Sequence, residues 1–349
     1  MTKLDSLTLS VPIIQAPMAG VSTPEMAAAV SNAGALGSIA VGAIDADAAR
    51  AMIMAVQART DQPFNVNLFV HPPAHARPKV ERDWVEALRP LFAAYGAQPP
   101  AALREIYRSF AADDAMLAVL AETRPAVVSF HFGLPDAARI AMLKQAGCLL
   151  LATATCLDEA LAAREAGIDA VVAQGHEAGG HRGMFDPDAP DACLGTLALT
   201  RLLVERSGLP VIAAGGIMDG QGVRAALNLG AVAAQLGTAF IACPESSADD
   251  AYRAALFSPA AHHTTITSVI SGRPARCLPN SFTAWEASNE AEIPDYPIAY
   301  DAGKALNQAA KAMGEDGYGA QWAGQGAPLA RSLPAAELIA ALVAEMQAA

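Results

Sequence analysis

The chain is poor in cysteine, aromatic side chains and charge, and each shortage narrows what it can be. Its five cysteines, Cys148, Cys156, Cys193, Cys243 and Cys277, are odd in number and form no Cys-x-x-Cys pair. That argues against a disulfide framework or a thiol metal site and leaves small apolar residues in a reducing compartment. Only 17% of the residues are charged, the net charge is −12 and no basic run occurs, so a nucleic-acid surface is not expected. No uninterrupted apolar stretch is long enough to span a membrane, and Met-Thr-Lys-Leu-Asp-Ser-Leu-Thr at the start has no signal core. The expectation is a cytoplasmic protein with no membrane and no nucleic-acid partner.

What is present is apolar rhythm. Over half of the 349 residues are apolar, enough for one large domain and a smaller one. Largely apolar runs fall at residues 11–16, 36–41, 64–69, 126–132, 149–153, 170–174, 210–214 and 232–237, as in parallel strands covered on both sides. Helical patterns at 24–33, 45–59, 136–146, 157–166, 194–207, 219–229 and 246–257 lie between them, several ending in Ala-Gly or Leu-Gly. Eight such units predict a (β/α)8 TIM barrel. Two segments break the rhythm: 71–124, Pro-rich at its start and then helical, and 259–349, irregular as far as Gly326 with a helix from Pro334 on. The simplest arrangement makes residues 1–70 and 125–258 the barrel, and 71–124 with 259–349 a second, mainly helical cap over its mouth.

The chemistry gathers where three consecutive strands end. Gln174-Gly-His-Glu-Ala-Gly-Gly-His-Arg-Gly183 follows the sixth, Gly215-Gly216 the seventh, and Gly237-Thr238 the eighth. Glycines let a backbone approach a ligand closely, and N–H groups at such turns hold a phosphate. One Gly-Gly pair also serves as a plain turn; two turns on adjacent strands favour phosphate. No Walker lysine motif is present. A flavin mononucleotide lying across the mouth suits this geometry, with Ala16, Pro17 and Met18 as a backbone wall and the Asn67 and Gln174 amides at its polar edge.

The histidines follow. His181 sits among glycines and charge beyond strand six, and His131 ends strand four in Ser129-Phe-His-Phe-Gly133. An imidazole in an apolar run is often a hydrogen-bonded core residue, which fits His131 alone; as a pair, the two can bind an oxyanion or move a proton. His176 and Glu177 lack a visible third ligand at metal spacing, so no metal is expected, and His262-His263 gets no role. Tyr296, Tyr300 and Lys304 share one face if their segment is helical. Two phenols and an ammonium make an anion-recognising stripe, or an ordinary solvated face, and Tyr107 from the other insertion can join them.

These segments, with Gln15-Ala-Pro-Met-Ala-Gly20, Phe64-Asn-Val-Asn-Leu-Phe69, Ala213-Ala-Gly-Gly-Ile217, Gln235-Leu-Gly-Thr-Ala-Phe240 and Trp322-Ala-Gly-Gln-Gly326, resemble the nitronate monooxygenase (2-nitropropane dioxygenase) family, in its class I form. The resemblance covers most of the chain. It implies non-covalent FMN and oxidation of alkyl nitronates, such as propionate 3-nitronate, by O2 to a carbonyl compound and nitrite through a flavosemiquinone, as in detoxification. It implies that Asn67, Gln174, Gly179, Gly180, Gly215, Gly216, Gln235, Leu236, Gly237 and Thr238 bind FMN. It makes His181 the catalytic histidine, with His131, Tyr107, Tyr296, Tyr300 and Lys304 lining the pocket of the anionic substrate. An FMN-dependent NAD(P)H reductase of quinones or enoyl thioesters is the alternative on the same scaffold, although no Gly-x-Gly-x-x-Gly follows a strand. A barrel that only binds a phosphorylated metabolite is the non-catalytic alternative.

Overall fold

The computed structural model describes residues 9–348. Eight parallel strands form its centre: β1 (Ile13–Gln15), β2 (Gly37–Ala40), β3 (Phe64–Phe69), β4 (Val127–His131), β5 (Leu149–Ala154), β6 (Ala170–Gln174) and, after a two-residue β7 (Gly180–His181), β8 (Val211–Ala214) and β9 (Ala233–Leu236). They pair in the order β1-β9-β8-β6-β5-β4-β3-β2. The ring closes where Gln15 N donates to Leu36 O at 2.9 Å and Leu36 N to Ile13 O at 3.0 Å. A second sheet joins β7 antiparallel to β11 (Ala275–Cys277), and β11 to β10 (Thr265–Thr267).

Side chains alternate between the two faces of each strand. Ile14, Val127, Leu149, Leu151, Val172 and Ile212 fill the barrel interior, while Val66, Val128, Leu150 and Val171 pack outward against the helices. The same period carries Asn67, His131, Thr153, Gln174 and Gln235 to inward positions at the strands' C-terminal ends, where the site is built.

The ring helices are α1 (Pro24–Asn32), α2 (Ala46–Gln57), α4 (Asp114–Thr123), α5 (Ala137–Gln145), α6 (Leu157–Glu165), α7 (Thr196–Arg206) and α8 (Gly220–Asn228), with α3 (Pro78–Ala94) inserted after β3. Past β9 come α9 (Thr238–Ile241), α10 (Asp250–Leu256), α11 (Ser281–Glu286), α12 (Ile298–Ala312) and α13 (Ala335–Ala348). Thr23, Asp45, Asp136 and Asp219 cap their helices through side-chain oxygens, each worth about 1 kcal/mol. Among the described residues no helix is long and apolar enough to cross a membrane.

The insertion after β3 and the C-terminal segment share a core: Trp84, Leu88 and Phe92 of α3 pack with Val269, Ile270, Phe282 and Leu306. Two helices that chain order put in the cap lie elsewhere. α4 packs between α2 and α5, and α13 packs on α8 and α1, with Leu338, Ile339 and Leu342 buried beside Met26, Val30 and Val223. The physical reason is that four-residue α9 is too short to cover the seam between β9 and β1, so the chain returns to cover it. We therefore propose the cap as residues 71–112 and 259–334. The stretch before Gly326, expected to be irregular, contains β10, β11, α11 and α12.

Candidate active site

The loop from Gly175 to Gly183 is tied down at both ends by Gln174 and Arg182. Gln174 Nε2 donates to His181 O at 2.9 Å, and its Oε1 accepts from Gly183 N at 2.7 Å. These two bonds hold the loop that carries His181, which makes Gln174 a positioning group for it. Arg182, 1% exposed, donates to Gln174 O and Gly175 O and forms a two-pronged pair with Asp191 at 2.7 and 3.0 Å. Such a fork fixes geometry as well as charge. Gly180 has φ +77°, a left-handed turn that suits glycine and leads His181 into β7.

His181 is thereby delivered into a box of rings. Its ring lies 5.0 Å from Trp322, 5.4 Å from Tyr296, 5.5 Å from Phe132 and 6.4 Å from Tyr300, centre to centre. Ser271 Oγ donates to Arg273 O at 3.2 Å and stands 2.8 Å from His181 Nε2. With the Ser271 proton on Arg273 O, the hydroxyl accepts from Nε2 and Nδ1 keeps its lone pair. Burial, His131 and Arg273 hold the His181 pKa well below its ordinary value, which keeps the ring neutral and makes it a weaker base than a free imidazole. His131 Nδ1 meets Thr153 Oγ1 at 3.0 Å and Nε2 meets His181 O at 3.2 Å. Burial and Arg273 lower its pKa to about 4. His131 therefore supports the loop from behind as well as facing the mouth.

The glycine turns of β8 and β9 stand side by side. Among the described residues the N–H groups of Gly216 and Ile217 have no acceptor, nor do those of Gly237 and Thr238. Gly215 and Gly216 have φ +125° and +69°, conformations open to glycine. Ala16 and Met18 lie against Gly237, 3.4 and 3.7 Å from where a Cβ would stand. Pro17 joins them in sequence. Leu236 is buried in the outer core with Met26 and Val30, so only its backbone faces the site. Asn67 Nδ2 donates to Ser129 Oγ at 2.9 Å. These open donors and glycine surfaces fit a phosphate with a flat ring beside it.

The segment from Trp322 to Gly326 closes this side. Gly324 N donates to Thr238 Oγ1 at 2.9 Å and Gln325 N to Glu177 O at 2.9 Å. A Cβ on Gly179 would lie 2.5 Å from Gly324 N, and one on Gly326 would lie 2.6 Å from Gly216 O. Glycine at these positions lets the cap's last strap lie directly on the rim loops. Thr238 accepts there, which leaves its hydroxyl proton for a ligand.

On the far side of His181, Tyr107, Tyr296 and Tyr300 come together, with Lys304 Nζ 4.9 Å from the Tyr107 ring and 5.4 Å from that of Tyr300. Tyr300 and Lys304 share a face of α12; Tyr296 precedes that helix, so the expected three-residue stripe is two residues plus one from the turn before it. Burial raises all three phenol pKa values, that of Tyr300 to about 12, so they act as neutral hydroxyls. Open cavities of 590 and 370 Å³ flank the loops, and neither is lined by His181.

Sequence reasoning missed several participants. Asp191 and Cys193 approach His176, their ligand atoms within 4.8 Å of one another. Both Asp191 oxygens are already held by Arg182, and Arg276 stands close to His176, so the group is poor in free negative charge. Phe132, Ser271, Arg273 and His71 also border the box. The apolar neighbours of Phe132 hid it, and no spacing signal ties 271–273 to a loop ninety residues earlier.

Comparison with known proteins agrees with this construction. The family model described as nitronate monooxygenase matches residues 1–345. The chain is 64% identical over 345 residues to a nitronate monooxygenase of Paraburkholderia phytofirmans, covering 99% of this chain and 94% of that one. It is 57% identical over 342 residues to one of Pseudomonas aeruginosa, covering 98% and 97%. Among solved structures, a nitroalkane oxidase from Streptomyces ansochromogenes superposes with TM-score 0.91 at 41% identity, covering 99% of this chain and 98% of that one. FabK from Thermotoga maritima is more distant, at TM-score 0.75 and 29% identity over 100% and 96%. On its length, its motifs and these relatives, the chain belongs to the nitronate monooxygenase family.

Proposed function

We propose that this protein is an FMN-dependent nitronate monooxygenase, converting alkyl nitronates such as propionate 3-nitronate and O2 to a carbonyl compound and nitrite, with FMN held non-covalently. The observation that carries the reading is the setting of His181: its Nε2 lies 2.8 Å from Ser271 Oγ and four rings box it in. Bound flavin would supply the electron transfer from the nitronate to O2. Gly179, Gly180, Gly215, Gly216, Ile217, Gly237 and Thr238 would hold its phosphate side, and Ala16, Pro17, Met18, Asn67, Gln174, Gln235 and the Leu236 backbone its ring.

The other steps belong to the chain's own side chains. A nitronate arrives as an anion, so it needs orientation and charge compensation more than a base. Lys304 offers an ammonium, and Tyr107, Tyr296 and Tyr300 offer neutral hydroxyls and ring faces. Phe132 and Trp322 exclude water around His181. A neutral nitroalkane needs its α-proton removed first, and His181 Nδ1 is the group placed to take it.

The test is the visible spectrum of the purified protein, kept anaerobic, before and after propionate 3-nitronate, with NADH in a parallel cuvette. The reading expects a flavin band that changes with nitronate and not with NADH. Bleaching by NADH alone would move the protein to the reductases, and a colourless protein that stays flavin-free after incubation with FMN would leave only a binding role.

A further inference from the structure

Arg273 lies in Ser271-Gly-Arg-Pro274, just before β11, behind the aromatic box, and the proposed function gives it no part. Its side chain is 2% exposed. Nη2 donates to Met184 O, Cζ stands 4.3 Å from the centre of the Phe132 ring, and Nε is buried without a partner. No ion pair holds it among the described residues; Glu159, Asp186 and Asp188 act on it only from a distance. Burial lowers its pKa to about 10, which leaves it charged at neutral pH.

The histidines and the Tyr296 phenol on the side of the box are neutral. Burial, with Arg273 contributing, pushes the pKa values of His71, His131 and His181 down. The Tyr296 hydroxyl, buried and unpartnered, keeps its proton. The box side therefore faces a buried positive charge that no carboxylate pairs directly among the described residues, an arrangement that a ligand anion there would relieve. Phe132 links it to the site. Its φ of +76° is a strained conformation for a bulky residue, and its ring meets both Arg273, at 4.3 Å, and His181, whose ring centre is 5.5 Å away. Strain of this kind persists where the surroundings enforce it.

We propose that Arg273 is the built-in counter-charge of this site: a positioning residue whose field, acting across the Phe132 ring, holds the anionic head of a small planar oxyanion beside His181. The inference rests on the nitronate reading for its substrate and names the residue that favours the anion over the neutral nitroalkane. It assigns no part in holding FMN, whose phosphate donors stand at the β8 and β9 turns.

Arg273→Met and Arg273→Lys test it in the FMN-loaded protein, with nitrite as an equilibrium probe followed by its perturbation of the flavin band. In Arg273→Met, the nitrite Kd rises at least about tenfold. The nitronate KM rises by a factor at least about tenfold larger than that of the neutral nitroalkane. The melting temperature stays level or rises, because an uncompensated charge has gone, and bound flavin stays level. Arg273→Lys recovers most of the nitrite affinity. A drop in melting temperature with equal losses on both substrates would make Arg273 a structural brace. Loss of flavin would make it a partner of FMN instead. If Arg273→Met does not fold, an Arg273→Lys protein that has lost nitrite affinity as fully as wild type loses it in high salt overturns the proposal. A wild-type protein that binds nitrite but does not oxidise nitronate would defeat the functional reading and leave the Arg273 comparison standing.

Discussion

The barrel rim and the cap build their halves of the site from different materials. On the rim, the turns after β8 and β9 offer backbone N–H groups and bare glycine surface, and side chains serve mainly to hold loops in place, as Gln174 does for His181. On the cap side, Tyr107, Tyr296, Tyr300, Trp322 and Lys304 present rings and one ammonium. On the rim an added Cβ at Gly179, or at Gly326 of the strap, would meet backbone at 2.5 and 2.6 Å, whereas a ring box tolerates conservative change and tunes what it binds. The rim is thus the conservative half, suited to a constant cofactor. The cap is the adjustable half, suited to a substrate.

The most severe way to break that division is at the seam between the halves. Gly179→Val puts side-chain atoms where Gly324 N stands 2.5 Å from a Cβ, so the strap must lift off the rim. Bound flavin, read from the ratio of visible to ultraviolet absorbance, is expected to fall at least about tenfold at fixed protein concentration, or about 1.4 kcal/mol. Full flavin content would show the strap to be independent of the cradle.

His181→Asn sharpens the comparison from the catalytic side. Turnover of a neutral nitroalkane is expected to fall about 100-fold or more, the range of a lost general base, while nitronate turnover falls by less than about tenfold. Equal losses would contradict the division between proton removal and anion binding.

A smaller effect is expected at the cap's exposed end. Lys304→Met removes the ammonium above Tyr107 and should raise the nitronate KM about three- to tenfold with little change in kcat. The difference should shrink as salt is added, because the charge is solvent-exposed. A change confined to kcat would place Lys304 in the chemical step.

The mildest test is pH. His71 and His131 have folded pKa values of about 4, lowered first by burial, against about 6.5 in an unfolded chain. Above the unfolded value both states are neutral and nothing is lost. As pH falls from about 6.5 toward 4, the unfolded chain takes protons that the folded one refuses. Stability then drops by up to about 1.4 kcal/mol per pH unit for each histidine. Melting temperatures should decline through that window, and His71→Asn should flatten the decline; an unchanged slope would mean that His71 takes its proton in the fold.

The two halves also differed in how far the sequence revealed them. Barrel strands announce themselves as short apolar runs, and the largest offset was two residues, at Ile13 against an expected start at 11. Glycine turns announce themselves because few other reasons place Gly-Gly after a buried strand. That His181 stands in a rim loop among glycines was legible in the sequence; the rings around it were not. The cap was not legible in the same way, because its contacts join residues far apart in the chain. Ser271 meets His181 across ninety positions, and Arg273 looks like a surface arginine until Phe132 is seen to cover it. α13 carried a clear helical pattern, but nothing local told whether it would cover the mouth or the seam beside β1. The strap at Trp322 was visible as a motif, and its purpose appeared only when Gly324 was found on Thr238.

The most direct test of the central claim, a cofactor cradle on the rim facing an anion box in the cap, is turnover by the purified flavin-loaded protein. Oxygen uptake and nitrite release would be followed together with propionate 3-nitronate as the sole reductant, and with NADH in its place. The account predicts rapid oxygen uptake with nitrite formation on the nitronate and none on NADH. Oxygen uptake driven by NADH, with no nitrite from the nitronate, would contradict it.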